Sequence, residues 1–294
     1  MDRFSHLFCF HTKKLLAFGL LFFAVLLPVR SVSAYVLQGV HVLDLTTRAL
    51  GRAKTLKLKQ KIIQFETGPE QGAAVLDETV YLIFPDRFRS DIVSNTLTQT
   101  RIVDGKRFIT VIDGVKSNLK GNVYDSYRSV LTYGSRTRLL KSLSLLDIDV
   151  SKSSLGRFED TIVFVLGAKY PDQSRSQVWI EKESFIPMKL LLVEKSVDET
   201  TAADIVDIVF GHWSKKGKIL YPMQIHFYRN GLKEMEIMTE EVQVNPAISM
   251  ELMSIEHLES TLMEPPAEEM ADDADREAVT DVQQTIEDFK KKFE

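Results

Sequence analysis

Between residues 55 and 244 the side chains mostly alternate, apolar then polar, in short runs separated by turn residues. A helix cannot gather such a run onto one face. A strand must, because successive side chains point to opposite sides of the pleat. In "TLKLKQKIIQFE" (55–66), Leu56, Leu58 and Ile62 share one face and Lys57, Lys59 and Lys61 the other. The pattern continues through "TVYLIF" (79–84), "RFRSDIV" (87–93), "RFITVID" (107–113), "TIVFVL" (161–166) and "QVWIEK" (177–182). It resumes in "MKLLLVE" (188–194), "IVDIVF" (205–210), "MQIHFYR" (223–229) and "MEIMTEEVQV" (235–244). Asp104-Gly105, Asp113-Gly114 and Asn230-Gly231 suit hairpin turns, since these residues accept positive φ. Strands do not alternate with helices, which excludes a parallel α/β fold.

Two runs open alike, "SFIPMKLLLVE" (184–194) and "LYPMQIHFYRNG" (220–231). Proline lacks an N–H and is tolerated at the first residue of a strand, so Pro187 and Pro222 are expected to begin strands after the charged turns 181–184 and 214–218. Helical spacing occurs at two places in this body. One helix is expected over 35–50, with Val36, Val40, Leu43 and Leu50 on one side and Gly51 as its stop. The other is expected over 125–146, where Tyr127, Val130, Leu131, Leu139, Leu140 and Leu143 recur and Gly134 divides the segment.

The flanks differ from the body. Lys13-Lys14, the apolar run 15–29 and the small residues ending at Ala34 describe a secretory signal cleaved after Ala34. Cys9, the only cysteine, departs with it, so an exported chain without disulfides would take its stability from its core. Beyond Met263 eleven acids stand against four bases, whereas residues 35–263 carry 29 of each sign. A neutral body argues against nucleic acid as a partner. Residues 263–275 read as an acidic linker within a 260–294 tail, and Val279, Val282, Ile286, Phe289 and Phe293 mark one face of a terminal amphipathic helix.

Catalytic signals are absent. There is no nucleophile elbow, phosphate-cradling glycine loop or zinc-binding helix. His41, His212, His226 and His257 are scattered singly, so no metal and no cofactor are expected, and His226 is placed on a solvated strand face. Asp204 and Asp207, three apart in a strand, fall on opposite faces and cannot share acid–base work. Acids 272–275 lack the spacing of a calcium loop. No enzymatic activity is expected.

Bulky apolar side chains stand out instead: Phe84, Phe88, Trp179, Met188, Leu190 and Leu192, then Met223, Ile225 and Phe227, on faces expected to point the same way. A closed barrel of about eight strands is filled by its own side chains, whereas a curved sheet of ten or eleven encloses more. Helices or a ligand must occupy the remainder.

The order of segments resembles the LolA-like periplasmic carriers of outer-membrane lipoproteins, with their LppX and RseB N-domain relatives. The resemblance rests on "FPDRFRSDI" (84–92), "IVDGKRFITVID" (102–113), "VWIEKESFIPMKLLL" (178–192), "GKILYPMQIHFYRNG" (217–231) and "VQVNPAI" (242–248), in that order. It covers residues 36–255 and implies a mainly β fold: an unclosed antiparallel barrel of about eleven strands, lidded by N-terminal and central helices. The nine bulky residues above would line an apolar cavity for acyl chains. Val40, Leu43, Tyr127, Leu131 and Leu139 would form the lid. Proteobacterial carriers keep a basic residue, with a role in ligand transfer, directly before the proline of the early strand; here that residue is Phe84.

The expectation is therefore a monomeric periplasmic carrier of lipid or acylated lipoprotein, with membrane-protein donor and acceptor partners and a half-barrel domain over 35–259. The alternative is a periplasmic sensor or interaction module that binds a protein or peptide on the same sheet.

Overall fold

The computed structural model describes residues 36–65, 72–119, 121, 123–131, 133–194 and 203–262. The expected signal (1–34) and, beyond Leu262, the expected linker and amphipathic helix lie outside these residues. The first helix, α1 (Gly39–Leu50), buries Gly39, Val42, Leu43, Thr46, Thr47 and Leu50, one face at spacings of three and four. It stops at Gly51, whose φ of 87° brings the chain against Lys218; a Cβ there would lie 2.1 Å from the Lys218 carbonyl oxygen.

The first six strands are β1 (Thr55–Phe65), β2 (Ala73–Ile83), β3 (Arg87–Val93), β4 (Thr98–Asp104), β5 (Arg107–Ile112) and β6 (Val115–Ser117). A 3-10 helix (Val123–Val130) and α2 (Arg136–Leu145) follow, separated at Gly134. The second series is β7 (Ser153–Phe158), β8 (Thr161–Leu166), β9 (Gln177–Glu181) and β10 (Pro187–Glu194). It closes with β11 (Asp204–Lys216), β12 (Ile219–Arg229), β13 (Leu232–Val244) and a short α3 (Ile255–Ser260).

All thirteen strands form one antiparallel sheet in the order β6-β5-β4-β3-β2-β1-β13-β12-β11-β10-β9-β8-β7. Every neighbour is also a neighbour in sequence except the central pair, β1 with β13. The sheet is not closed. Its edge strands β6 and β7 are joined in sequence by the helical segment between them. A single core unites one face of β1–β3 and β8–β13 with α1, the 3-10 helix and α2, so the sheet curls around these three as a half-barrel with a helical filling.

The sheet is broader than the ten or eleven strands expected. β4 and β7 escape pattern reading because "TQTRIVD" and "SSLGRF" show too little apolar alternation. β6 is three residues long. At Asp113-Gly114 and Asn230-Gly231 both turn residues have positive φ, whereas at the first hairpin Gly105 alone does, because Asp104 still belongs to β4.

Pro187 does begin β10, but Pro222 is the fourth residue of β12, a correction to the expectation of a strand start. It is tolerated there because β12 pairs with β13 only from Gln224 onward, leaving one side of the strand locally free at Pro222.

The outer face carries two smaller clusters. Ile102, Ile109 and Val111 of β4 and β5 are covered by Ile255, Leu258 and Leu262 of the C-terminal strap. Salt bridges Arg107–Glu256 (2.5 Å) and Lys116–Glu259 (2.6 Å) flank that contact. At the other end Val163, Val165 and Trp179 pack with Phe158 and Met188. Among the described residues no helix is long and apolar enough to cross a membrane.

Candidate functional site

Strand register carries polar residues onto the concave face of β1–β5. Gln60 lies opposite Glu78, Ser90 opposite Arg101, and Arg101 opposite Thr110. The 3-10 helix lies over them and adds Tyr124, Asp125, Tyr127 and Arg128. Between helix and sheet is a cavity of about 200 Å³. Its apolar wall includes Ile62, Leu76, Phe88, Ile92, Met235 and Ile237; its polar wall includes Glu78, Ser90, Arg101, Thr110, Asp125 and Arg128.

The polar wall is largely self-satisfied. Gln60 Nε2 donates to Glu78 Oε2 at 2.5 Å, and the Ser90 hydroxyl donates to Glu78 Oε1. Burial pushes the Glu78 carboxyl above its ordinary pKa, against the pull of those two hydrogen bonds. Asp125 lies between two guanidinium groups, 3.0 Å from Arg101 and 2.9 Å from Arg128. Arg101 Nε is buried and has no hydrogen-bond partner, and burial lowers the pKa of this guanidinium. The buried Tyr127 hydroxyl is pushed up to about 12.

The helix is latched at the rim. The Tyr124 hydroxyl donates to Glu234, and burial with that bond takes its pKa up to about 12. Arg229 gathers Glu194 (2.9 Å), Asp204 (3.0 Å) and Glu234 (3.4 Å) below it. Asp207 points away from this group and pairs with Lys189 at 2.8 Å, so the two aspartates do occupy different faces.

The structure divides the expected cavity residues. Phe88 is a wall of the cavity. Leu190, Leu192, Ile225 and Phe227 are fully packed in the main core. Phe227 meets Tyr124 and Tyr127 edge-on at 5.5 and 6.0 Å, so the lid residues fill that part of the half-barrel. Met223 and Phe84 lie at the margin of the same core, Phe84 against Tyr133 at 5.6 Å.

Trp179 and Met188 are corrections, since both pack on the outer face. Trp179 alternates with the inward Val178 and Ile180, and a bulge between Pro187 and Lys189 turns Met188 outward. Of the lid set, Leu43, Tyr127, Leu131 and Leu139 are buried, but Val40 is 40% exposed, one position off the α1 face set by Gly39, Leu43 and Thr46. His226 is not freely solvated. Its Nε2 is buried 3.6 Å from Glu236, and burial lowers its pKa.

Glu78, Arg101, Asp125 and Arg128 were not singled out by sequence reading. The available signal was a charged residue on an otherwise apolar face, as Glu78 between Leu76 and Val80. Among the described residues no three His, Asp or Glu side chains converge as metal ligands.

An open antiparallel half-barrel whose concave face is closed by helices is the LolA-like fold, and this chain has it. A LolA superfamily protein from Nitrosomonas europaea superposes with a TM-score of 0.52 at 9% identity, covering 76% of this chain and 100% of that one. A provisionally named outer membrane lipoprotein-sorting protein domain from Vibrio parahaemolyticus gives 0.50 at 10% identity, covering 75% and 97%. A DUF1329 family protein from Desulfovibrio piger gives 0.49 at 12%, covering 75% and 99%. No protein-family profile and no curated protein matches the sequence.

Proposed function

We propose that this chain is an exported, non-catalytic periplasmic carrier that shelters the acyl chain of a lipid or lipoprotein on its concave face, for delivery toward the outer membrane. The observation that carries the proposal is the cavity between the 3-10 helix and β1–β5, walled on one side by Ile62, Leu76, Phe88, Ile92 and Met235. Fully exposing a sixteen-carbon chain to water costs about 12 kcal/mol, at ~0.8 kcal/mol for each of ~15 methylenes, so such a chain does not cross an aqueous gap unshielded.

The volume of about 200 Å³ is less than the roughly 300–1,000 Å³ of drug-sized sites. Tyr124, Tyr127 and Leu131 now occupy space that a whole acyl chain needs. Loading therefore requires the 3-10 helix to lift from the sheet, breaking the Tyr124–Glu234 latch and withdrawing Tyr127 from Phe227. An exchange of protein side chains for lipid methylenes is close to neutral in apolar burial. That suits a carrier, which must also release its cargo.

Native mass spectrometry of protein purified without detergent from its own compartment tests this. Wild type should carry adducts of acyl-lipid mass. Ile92→Glu, which puts a carboxylate on the cavity wall rather than in the packed core, should lose them while keeping its circular dichroism. Wild-type spectra free of adducts, with no uptake of a fluorescent fatty-acyl probe, would overturn the proposal.

A further inference from the structure

The polar wall indicates which end of a ligand enters. A cavity meant only for hydrocarbon has no use for a guanidinium, and burying one with an unsatisfied N–H is unfavourable. Arg128 is occupied on both sides, by Asp125 at 2.9 Å and by the Phe88 ring at 3.8 Å. Glu78 is occupied by Ser90 and Gln60. Arg101 differs. One of its nitrogens meets Asp125 at 3.0 Å, while its buried Nε, on a side chain that lines the cavity, has no acceptor.

The guanidinium is also held in place. Its Nη1 is anchored on Asp125 at 3.0 Å, and the main chain closes over it at Gly121, where a Cβ would lie 2.4 Å from Nη2 and push that side-chain end aside. A fixed cationic donor without an acceptor, beside an apolar wall, is complementary to an amphiphile with a negatively charged oxygen at its end. The volume of about 200 Å³ holds a head group and the first methylenes of one chain, not a whole acyl chain.

Resting on the carrier reading, we infer that the cavity takes a single-chain amphiphile head-first, with its carboxylate or phosphate oxygen on Arg101 and its first methylenes along Ile62, Leu76, Phe88 and Ile92. The rest of the chain leaves beneath the lifted 3-10 helix. Charge-assisted pairing at this one nitrogen then selects anionic heads over neutral ones of equal chain length.

The test titrates the delipidated mature chain at neutral pH with oleate, oleoyl-lysophosphatidate and oleyl alcohol, each below its micellar concentration. At least one anion should bind about ten-fold or more tighter than the alcohol, and the tighter anion identifies the head. Arg101→Met should bring the three probes to within about three-fold of one another without weakening the alcohol. Arg101→Lys, which keeps the charge but not Nε, should also lose most of the discrimination. Alcohol binding as tightly as both anions to wild type would overturn the head-group inference and leave the carrier reading standing. That comparison needs no variant to fold. Discrimination that survives in a folded Arg101→Met protein would overturn the assignment to Arg101. If none of the three probes binds, the carrier reading falls, and this inference with it.

Discussion

The Arg128 guanidinium carbon lies 3.8 Å from the centre of the Phe88 ring, joining the 3-10 helix to β3 across the concave face. A guanidinium stacks on an aromatic face more readily than an ammonium because it is flat and weakly hydrated. On its other side Arg128 meets Asp125, itself shared with Arg101 of β4. The 3-10 helix and the sheet are thus tied by a few polar and aromatic contacts around the cavity, whereas the inward residues of β9–β12 are buried in the main core.

Removing the stacked group should loosen the lid before the sheet. Arg128→Ala is expected to cost about 1–2 kcal/mol in urea unfolding, the range of a partly buried cation–π contact with its ion pair. Amide exchange should accelerate over Val123–Val130 and stay nearly unchanged in β12. Equal acceleration in both segments would contradict a lid that opens independently.

Glu78 makes stability depend on pH. Burial holds its folded pKa above the ordinary 4.5, so the folded chain keeps this proton to higher pH than the unfolded chain. The stability lent by the protonated carboxyl is complete below the unfolded pKa and is lost as pH rises through the folded one. Glu78→Gln cannot titrate. It should melt higher than wild type near pH 8, with the gap closing as pH falls toward about 4.5. A gap that widens on acidification would show the opposite sign.

On the outer side of β10, Lys189 and Asp207 form an ion pair at 2.8 Å, with side chains only 9% and 21% exposed. Lys189 also lies over the Trp179 ring at 5.0 Å. Lys189→Met strands the carboxylate and should cost about 3 kcal/mol, whereas Lys189→Met with Asp207→Leu should recover most of that loss. Urea unfolding of the two variants measures the difference. A double variant as unstable as the single one would show that packing on Trp179, not the charge, is what matters.

The C-terminal strap should matter for stability and not for ligand. Ile255 is 7% exposed against Ile102 and Ile109 on the outer face. Ile255→Ala should lower stability by about 2–4 kcal/mol through the cavity it leaves. Uptake of a fluorescent fatty-acyl probe by the folded fraction should be unchanged. Reduced uptake would mean that the two faces are coupled.

Much of the architecture is legible in local pattern. Leu56, Leu58 and Ile62 announce β1 because alternation is a property of the strand itself. Gly51, Gly134 and Asn230-Gly231 mark their breaks because positive φ is a local requirement. β4 was hidden because Gln99 and Arg101 take the concave positions where apolar residues would have advertised a strand.

What could not be read from the sequence concerns which face a residue ends on and what fills the space it faces. A single bulge, at Pro187–Lys189, turned Met188 from the inside to the outside, and no residue type signals it. Alternation placed Phe227 inward, but its partners Tyr124 and Tyr127 come from a helix about a hundred residues earlier in the chain. The gathering of Glu78, Arg101, Asp125 and Arg128 around one cavity depends on the register of four strands and the path of one helix. Backbone periodicity and turn chemistry act over a few residues, so the sequence alone determined most strands of the sheet, its hairpin turns and its helical breaks. The site forms only when distant segments pack together, so the position of the cavity and the charge on its wall were decided by tertiary structure.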